Sequence, residues 1–188
     1  MLINNDTIIK DTNPFIREKS MPVELPLSDE DRALLQDLYN YVKDSTDPEK
    51  AEKLNLRPAV GISAIQVGIP KQLTAVIVPT LDKDGNETTA EFLLANPKII
   101  SQSVQPAYLD SGEGCLSVEG EHEGHVVRSA RIKVRAYDAL TDQEIEIRAR
   151  GYLAIVLQHE IDHFSGILFY DKIDQDDPFK DISGALVI

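Results

Sequence analysis

Cysteine is close to absent from this chain. Cys115 is the one thiol among 188 residues, which excludes an internal disulfide framework. Long apolar runs are missing too, and none approaches the roughly 20 residues that a membrane-spanning helix needs, so no membrane association is expected. The opening MLINNDTIIK has no basic segment followed by an apolar one and does not read as a signal peptide; it is also too acidic for an organelle transit peptide. A cytoplasmic location is the expectation. Basic residues are in short supply, with 19 Lys and Arg against 32 Asp and Glu and a net charge of -13. Such a surface repels phosphate backbones, so no direct nucleic-acid binding is expected, and the charge serves solubility. Repeats and low-complexity tracts are absent as well.

What is present suits a globular chain: 42% of residues are hydrophobic and 27% charged, in a length that fits one domain, 1–188, around a single core. LSDEDRALLQDLYNYVKD has Ser28 as N-cap, acids in its first turn and an apolar stripe of Leu34, Leu35, Leu38, Tyr41 and Val42, so it predicts an amphipathic helix. DPEKAEKL adds a short polar surface helix capped by Asp47, with Pro48 at its first position. LTAVIVP, EFLLANPKII, HVVRSARIKVRAYDA and EIEIRARG read as strands, with turns at Lys83–Asn86 and Thr141–Asp142. YLAIVLQHEIDHFS is apolar all round its first two turns, which suits a buried helix, with Gly166 as its C-cap. GALVI closes the chain as a short strand. The fold class is α+β: antiparallel sheets packed around a central metal-binding helix, with an N-terminal amphipathic helix and a C-terminal strand.

The chemistry concentrates in QHEIDH. Residues four apart on a helix sit about 40° from each other and about 6 Å along the axis, so His159 and His163 can share one divalent ion. Glu160 lies beside that face, where its carboxylate reaches a water activated by the ion without ligating the ion. A third protein ligand is needed. Metzincin-type enzymes extend the pattern to His-x-x-Gly-x-x-His; Gly166 is in place, but Phe169 stands where the histidine should be. Thermolysin-like enzymes take a later glutamate, and none follows Glu160. Asp171 and Asp174 lie in an acidic tail with no expected helix to present them. Upstream, SGEGCLSVEG places Cys115 in a glycine-flanked segment between strands. A lone cysteine is ordinarily a small buried filler. As a thiolate beside two histidines it would instead hold zinc or ferrous iron and leave a fourth position open, which is a catalytic arrangement. A thiol hydrolase with Cys115 as nucleophile is the other enzymatic reading.

GEGCLS and QHEIDH, in this order after the upstream AVGISAIQ, resemble peptide deformylase, and the resemblance runs from about Ile9 to the end. The polar insertion around residues 44–57 and the strand-like ending are similar to the Gram-positive-type branch. The resemblance implies one catalytic domain that removes the formyl group from the N-terminal formyl-methionine of nascent polypeptides and releases formate. It implies one divalent metal ion on Cys115, His159 and His163, physiologically Fe2+, with Zn2+, Ni2+ or Co2+ as replacements. Glu160 is then the general acid/base, the Gln66 amide and the Leu116 N–H stabilise the tetrahedral oxyanion, and Gly61 gives close backbone contact to the substrate. Ile155 and Val156 line the methionine pocket, Glu113 and Arg128 form a salt bridge behind the metal, and Asp162 supports the helix. The implied partners are N-formylmethionyl nascent peptides, met in transient proximity to the ribosome, because the acidic DKIDQDDPFKDIS opposes stable docking on ribosomal RNA.

One motif departs from the family's Gly-x-Gly-x-Ala-Ala-x-Gln. Here Ala59 replaces the first glycine and Ser63 the first alanine. A positive φ at position 59 would strain Ala59 by about 1 kcal/mol or more. The Ser63 hydroxyl enters a packed spot and needs a partner. Neither change removes a reactive group, so activity is expected; the competing reading is a weakly active or non-catalytic paralogue that binds metal or peptide.

Overall fold

The computed structural model describes residues 1–82 and 84–188. Helix α1 is Asp29–Ser45 and α2 is Pro48–Leu54. The strands are β1 Gly61–Ser63, β2 Leu73–Leu81, β3 Glu87–Gln102, β4 Pro106–Tyr108, β5 Arg128–Ser129, β6 Arg131–Asp138, β7 Gln143–Arg150 and β8 Leu186–Val187, with α3 at Gly151–His163 between the last two. Five strands form an antiparallel sheet in the order β1-β2-β3-β6-β7, and three form a smaller sheet in the order β5-β4-β8. The fold is α+β, as the sequence pattern implies.

The large sheet is covered on both faces. On one face Leu73 and Ala75 of β2 and Leu93 and Ala95 of β3 pack with Leu34, Leu35, Leu38, Tyr41 and Val42, the whole predicted stripe of α1. On the other, Val76, Val78, Leu94 and the β6 residues Ile132, Val134 and Ala136 pack with Ala154, Val156 and Leu157 of α3. Strand β2 is therefore apolar on both sides, which is why LTAVIVP reads as a continuous run rather than an alternation. Both helix starts follow their sequence signals. The Ser28 hydroxyl accepts from the Asp31 N–H, the Asp47 carboxylate accepts from the Glu49 and Lys50 N–H groups, and α2 buries no residue.

Three details differ from the sequence pattern. HVVRSARIKVRAYDA splits at Ala130 into β5 and β6, so the chain leaves the small sheet and enters the large one within a single residue. The closing strand β8 pairs with β4 in parallel, so the small sheet is mixed. Helix α3 is capped at Phe164, two residues before Gly166. The turn at Lys83–Asn86 falls partly outside the described residues; in its described part the Asp82 carboxylate accepts from the Asp84 and Asn86 N–H groups. Asp142 makes the β6–β7 turn with φ 56°. Among the described residues no helix is long and apolar enough to cross a membrane.

Gly166 closes the turn after α3 as its position suggests, its N–H donating to the His163 carbonyl and the Ile167 N–H to the Asp162 carbonyl, both at 3.1 Å, and it has a second duty. With φ +68° it brings the chain against the N-terminal segment, where a Cβ would run into the Arg17 carbonyl, and the Arg17 guanidinium donates to the Gly166 carbonyl at 3.1 Å. Gly184 has a similar φ of +71° and open space around it. Gly184→Ala is expected to cost about 1–2 kcal/mol, the strain of a left-handed residue. Gly166→Ala should cost clearly more, because the N-terminal segment must also move. Urea unfolding of the two variants measures the difference, and equal costs would refute the close-approach account.

Candidate metal centre and its cleft

Cys115, His159 and His163 each offer a ligand atom, and these atoms all lie within 4.8 Å of one another. The histidines come from the last turns of α3, four residues apart and on one face. Cys115 comes from the irregular segment between β4 and β5. Its sulfur lies 3.4 Å from Nε2 of His163. Burial pushes the Cys115 thiol up, but His163 and His159 beside it more than offset that and bring it down to about 6. Burial pulls the His159 imidazole down, while Cys115 and Glu113 hold it well above its ordinary value. The cluster is thus preset for a thiolate facing positive charge, which a divalent cation can supply in place of protons. One sulfur and two imidazole nitrogens, converging with an open side on a cleft, fit zinc or ferrous iron.

Behind the donors lies a buried charge network. Glu113 accepts two hydrogen bonds from the Arg128 guanidinium, at 2.5 and 2.8 Å, and its Oε2 lies 2.9 Å from Nδ1 of His159. The Arg128 and Glu113 side chains are 1% and 3% exposed, and Arg128 also donates to Asp162 at 2.9 Å. Burial alone would raise the Glu113 carboxyl, but Arg128 and His159 hold it below its usual value. A carboxylate on Nδ1 fixes the ring and leaves Nε2 for a metal. The Glu113–Arg128 pair and the supporting Asp162 are as the family resemblance implies. Gln158, from the same helix, accepts from the Ser129 N–H and donates to the Ser129 carbonyl, both at 2.9 Å, which ties α3 to β5.

The glutamine motif forms the opposite wall. Strand β1 runs into a 3-10 turn over Ala64–Val67, and Gln66 is almost fully buried. Its Oε1 accepts from the Ser63 N–H at 2.9 Å, so its Nε2 is directed at the Ser117 hydroxyl (3.1 Å) and the Cys115 sulfur (3.6 Å). The Ser63 hydroxyl has found its partner: it donates to Oε2 of Glu160 at 2.7 Å. Gly61 sits on Glu160 as well, since a Cβ at that position would lie 2.6 Å from Glu160 Oε1. Ala59 is not among the residues of positive φ, so the strain that a glycine there would have relieved does not arise. Its N–H donates to the Ser45 hydroxyl at 3.1 Å.

A cavity of about 500 Å³ opens onto the cluster, and Gly61, Gln66, Cys115, Leu116, His159 and Glu160 all border it. Ile155 and Val156 line it as expected, and Tyr152, Leu109 and Val60 extend its apolar wall. Among the described residues no group accepts from the Leu116 N–H. Two cations went unnoticed in the sequence. Lys10 donates to the Leu116 carbonyl at 3.0 Å, and Arg57, on the rim, reaches the carbonyls of Cys115, Leu116 and Val118 at 3.4–3.5 Å. Both come from segments distant in sequence, with no local pattern to reveal them.

The chain matches the family model described as polypeptide deformylase over residues 5–179. It is 45% identical over 187 residues to "Peptide deformylase 2" of Bacillus subtilis (strain 168), covering 100% of this chain and 99% of that protein. It is 47% identical over 192 residues to "Peptide deformylase" of Streptococcus pyogenes serotype M18, covering 100% and 94%. Among solved structures, the Ehrlichia chaffeensis peptide deformylase in complex with actinonin superposes with a TM-score of 0.72 at 30% identity, covering 95% of this chain and 92% of that one. With the Cys/His/His cluster, the Glu113 network and the glutamine wall all in one cleft, the chain belongs to the polypeptide deformylase family.

Proposed function

We propose that this chain hydrolyses the formamide bond at the N-terminal formyl-methionine of nascent polypeptides, releasing formate and a free amine, and that residues 1–188 act as one catalytic unit. The observation that carries this reading is the convergence of three ligand atoms, a glutamate and a buried carboxamide on one apolar-walled cavity. Cys115, His159 and His163 hold a divalent ion, physiologically Fe2+, with Zn2+, Ni2+ or Co2+ able to replace it. When bound, such an ion supplies Lewis acidity and draws the pKa of water down toward about 7.

The protein's own groups do the rest. Glu160 Oε1, on the Gly61 side of the cleft, takes a proton from the attacking water and later gives it to the leaving amine nitrogen. The Gln66 Nε2 amide and the Leu116 N–H donate to the oxygen of the tetrahedral intermediate. Gln66 comes already oriented by the Ser63 N–H, so its side chain need not turn as that charge develops, and the N–H directed at the Cys115 sulfur is the one that passes to the oxygen. Gly61 leaves room for the Glu160 carboxylate and offers backbone to the substrate. Ile155, Val156, Leu109 and Tyr152 present apolar surface for the methionine side chain. Replacing Ala59 and Ser63 by the family's residues would restore nothing to this machinery, which favours an active enzyme over a non-catalytic paralogue.

The Cys115–His163 contact would also suit a thiol nucleophile, and a chelator separates the two chemistries. Metal-loaded protein is expected to release formate from formyl-Met-Ala peptides, to lose that activity on chelation and to regain it with Fe2+. Activity that survives complete metal removal would establish the thiol reading instead. Glu160→Gln should lower kcat by about 10²–10⁴-fold with metal retained, as removal of a general acid/base does; an active Glu160→Gln enzyme would remove Glu160 from the mechanism. Elemental analysis of anaerobically purified protein is expected to find one iron per chain and none in Cys115→Ala; zinc under those conditions would displace the iron assignment.

The working location is the cytoplasm, beside the ribosome but not fixed to it. Asp174, Asp176, Asp177 and Asp181 lie near the C-terminus of a chain with net charge -13, which opposes tight contact with RNA. Co-sedimentation with ribosomes at physiological salt is expected to be weak and unchanged when residues 174–188 are removed. Tight binding that depends on that segment would contradict this.

A further inference from the structure

We propose that Ser63 is a positioning residue for Glu160: its hydroxyl holds Oε2 so that Oε1 alone faces the cleft. The inference rests on the reading of Glu160 as the proton carrier. Ser63 is fully buried at the end of β1, where its backbone pairs with Thr74 of β2, so the hydroxyl is presented from a rigid element. The hydroxyl has one proton and two acceptors within reach, the Glu160 carbonyl at 3.2 Å and Oε2 at 2.7 Å. The shorter contact to a carboxylate oxygen is the stronger one and takes the proton. Thr74 does not compete for this duty. Its hydroxyl lies 3.5 Å from Oε2 and donates at 2.9 Å to the Ile62 carbonyl.

The two carboxylate oxygens are thereby made unequal. Oε2 is tied to β1, while Oε1 lies where only a glycine fits, at Gly61, and accepts from no described residue. The last torsion of a glutamate is broad and nearly two-fold, so an untied carboxylate would exchange its oxygens and spread over many orientations. The contact removes that freedom before substrate arrives, which is worth rate because a proton must pass along a short, aligned path. The same residue orients Gln66 through its N–H. Ser63 therefore sets the proton carrier with its side chain and the oxyanion donor with its backbone, and a side-chain substitution separates the two.

The test uses metal-loaded Ser63→Ala, Ser63→Thr, Glu160→Gln and Glu160→Ala enzymes. Ser63→Ala keeps the backbone N–H and removes the hydroxyl alone. It is expected to lower kcat about tenfold, the worth of one hydrogen bond to a charged group, with KM and metal content unchanged. Ser63→Thr should recover most of that loss. In thermal unfolding at fixed free metal, Ser63→Ala is expected to lower the midpoint in the wild-type background and to have little effect in the Glu160→Ala background, because the two side chains share one contact. Unchanged kcat in Ser63→Ala, a rise in KM or a loss of metal in place of the kcat effect, or equal unfolding penalties in both backgrounds would each overturn the proposal. An active Glu160→Gln enzyme would instead sink the underlying reading of Glu160, whatever Ser63→Ala does.

Discussion

The Glu113 carboxylate is the point on which the site depends. It joins three segments that share no secondary structure: its own irregular loop, Arg128 on β5 and His159 on α3. A loop has no ladder of hydrogen bonds to fix it, yet this one carries the sulfur. Moving a carboxylate and a guanidinium out of water costs several kcal/mol each, and the pair offsets that cost only when its hydrogen bonds are complete. Here they are. Both carboxylate oxygens are engaged by Arg128, Oε2 also meets the imidazole, and the guanidinium takes Asp162 as well. Such a pair tolerates few alternative arrangements, so it selects the one loop conformation that places Cys115 beside the histidines.

That selection would be useless on a mobile helix. Most polar side chains on the buried turns of α3 are satisfied by another element: Gln158 by β5, Glu160 by β1, Asp162 by Arg128. Its apolar side packs against β2, β3 and β6. The helix is therefore held on its greasy side by area and on its chemical side by directed hydrogen bonds. The first supplies stability and the second supplies registry, which is the property a metal site needs.

Much of this was legible in the chain because it is local. The stripe of α1, the Ser28 and Asp47 caps and the four-residue spacing of the histidines depend on helix geometry alone, and the structure reproduces them. Cys115 was reachable by elimination, since Phe169 and the lack of a later glutamate closed the ordinary routes. What escaped is non-local. The hydroxyl of Ser63 needs a partner, but the partner lies 97 positions away on another element. Gly61 reads as a place for substrate, and the group that demands the missing Cβ is Glu160. Gly166 reads as a helix cap and closes the turn after α3, but the Arg17 carbonyl that also leaves no room for a Cβ there comes from the opposite end of the chain. The break at Ala130 and the parallel partner of β8 are matters of pairing between segments distant in sequence, and no periodicity encodes that.

The departure at position 59 shows how the N-terminal part of the chain enters the site. Ala59 is free of strain because its φ is not positive, and its N–H is taken by the Ser45 hydroxyl, at the buried end of α1. Two residues earlier the Tyr41 hydroxyl donates to the Arg57 carbonyl at 3.1 Å and lies 3.3 Å from the Arg57 N–H. The end of α1 thus grips the segment that leads into β1 and forms the cleft wall from Arg57 through Gly61. Tyr41 and Ser45 are four residues apart on the face that also carries Leu38, so the grip follows from the same stripe that buries the helix. Helix α2, which follows, buries no residue of its own, while Leu56 just beyond it packs against the core beneath α1. The contacts of Ser45 with Ala59 and of Tyr41 with Arg57 hold the chain just before Gly61, the position at which a Cβ would meet Glu160.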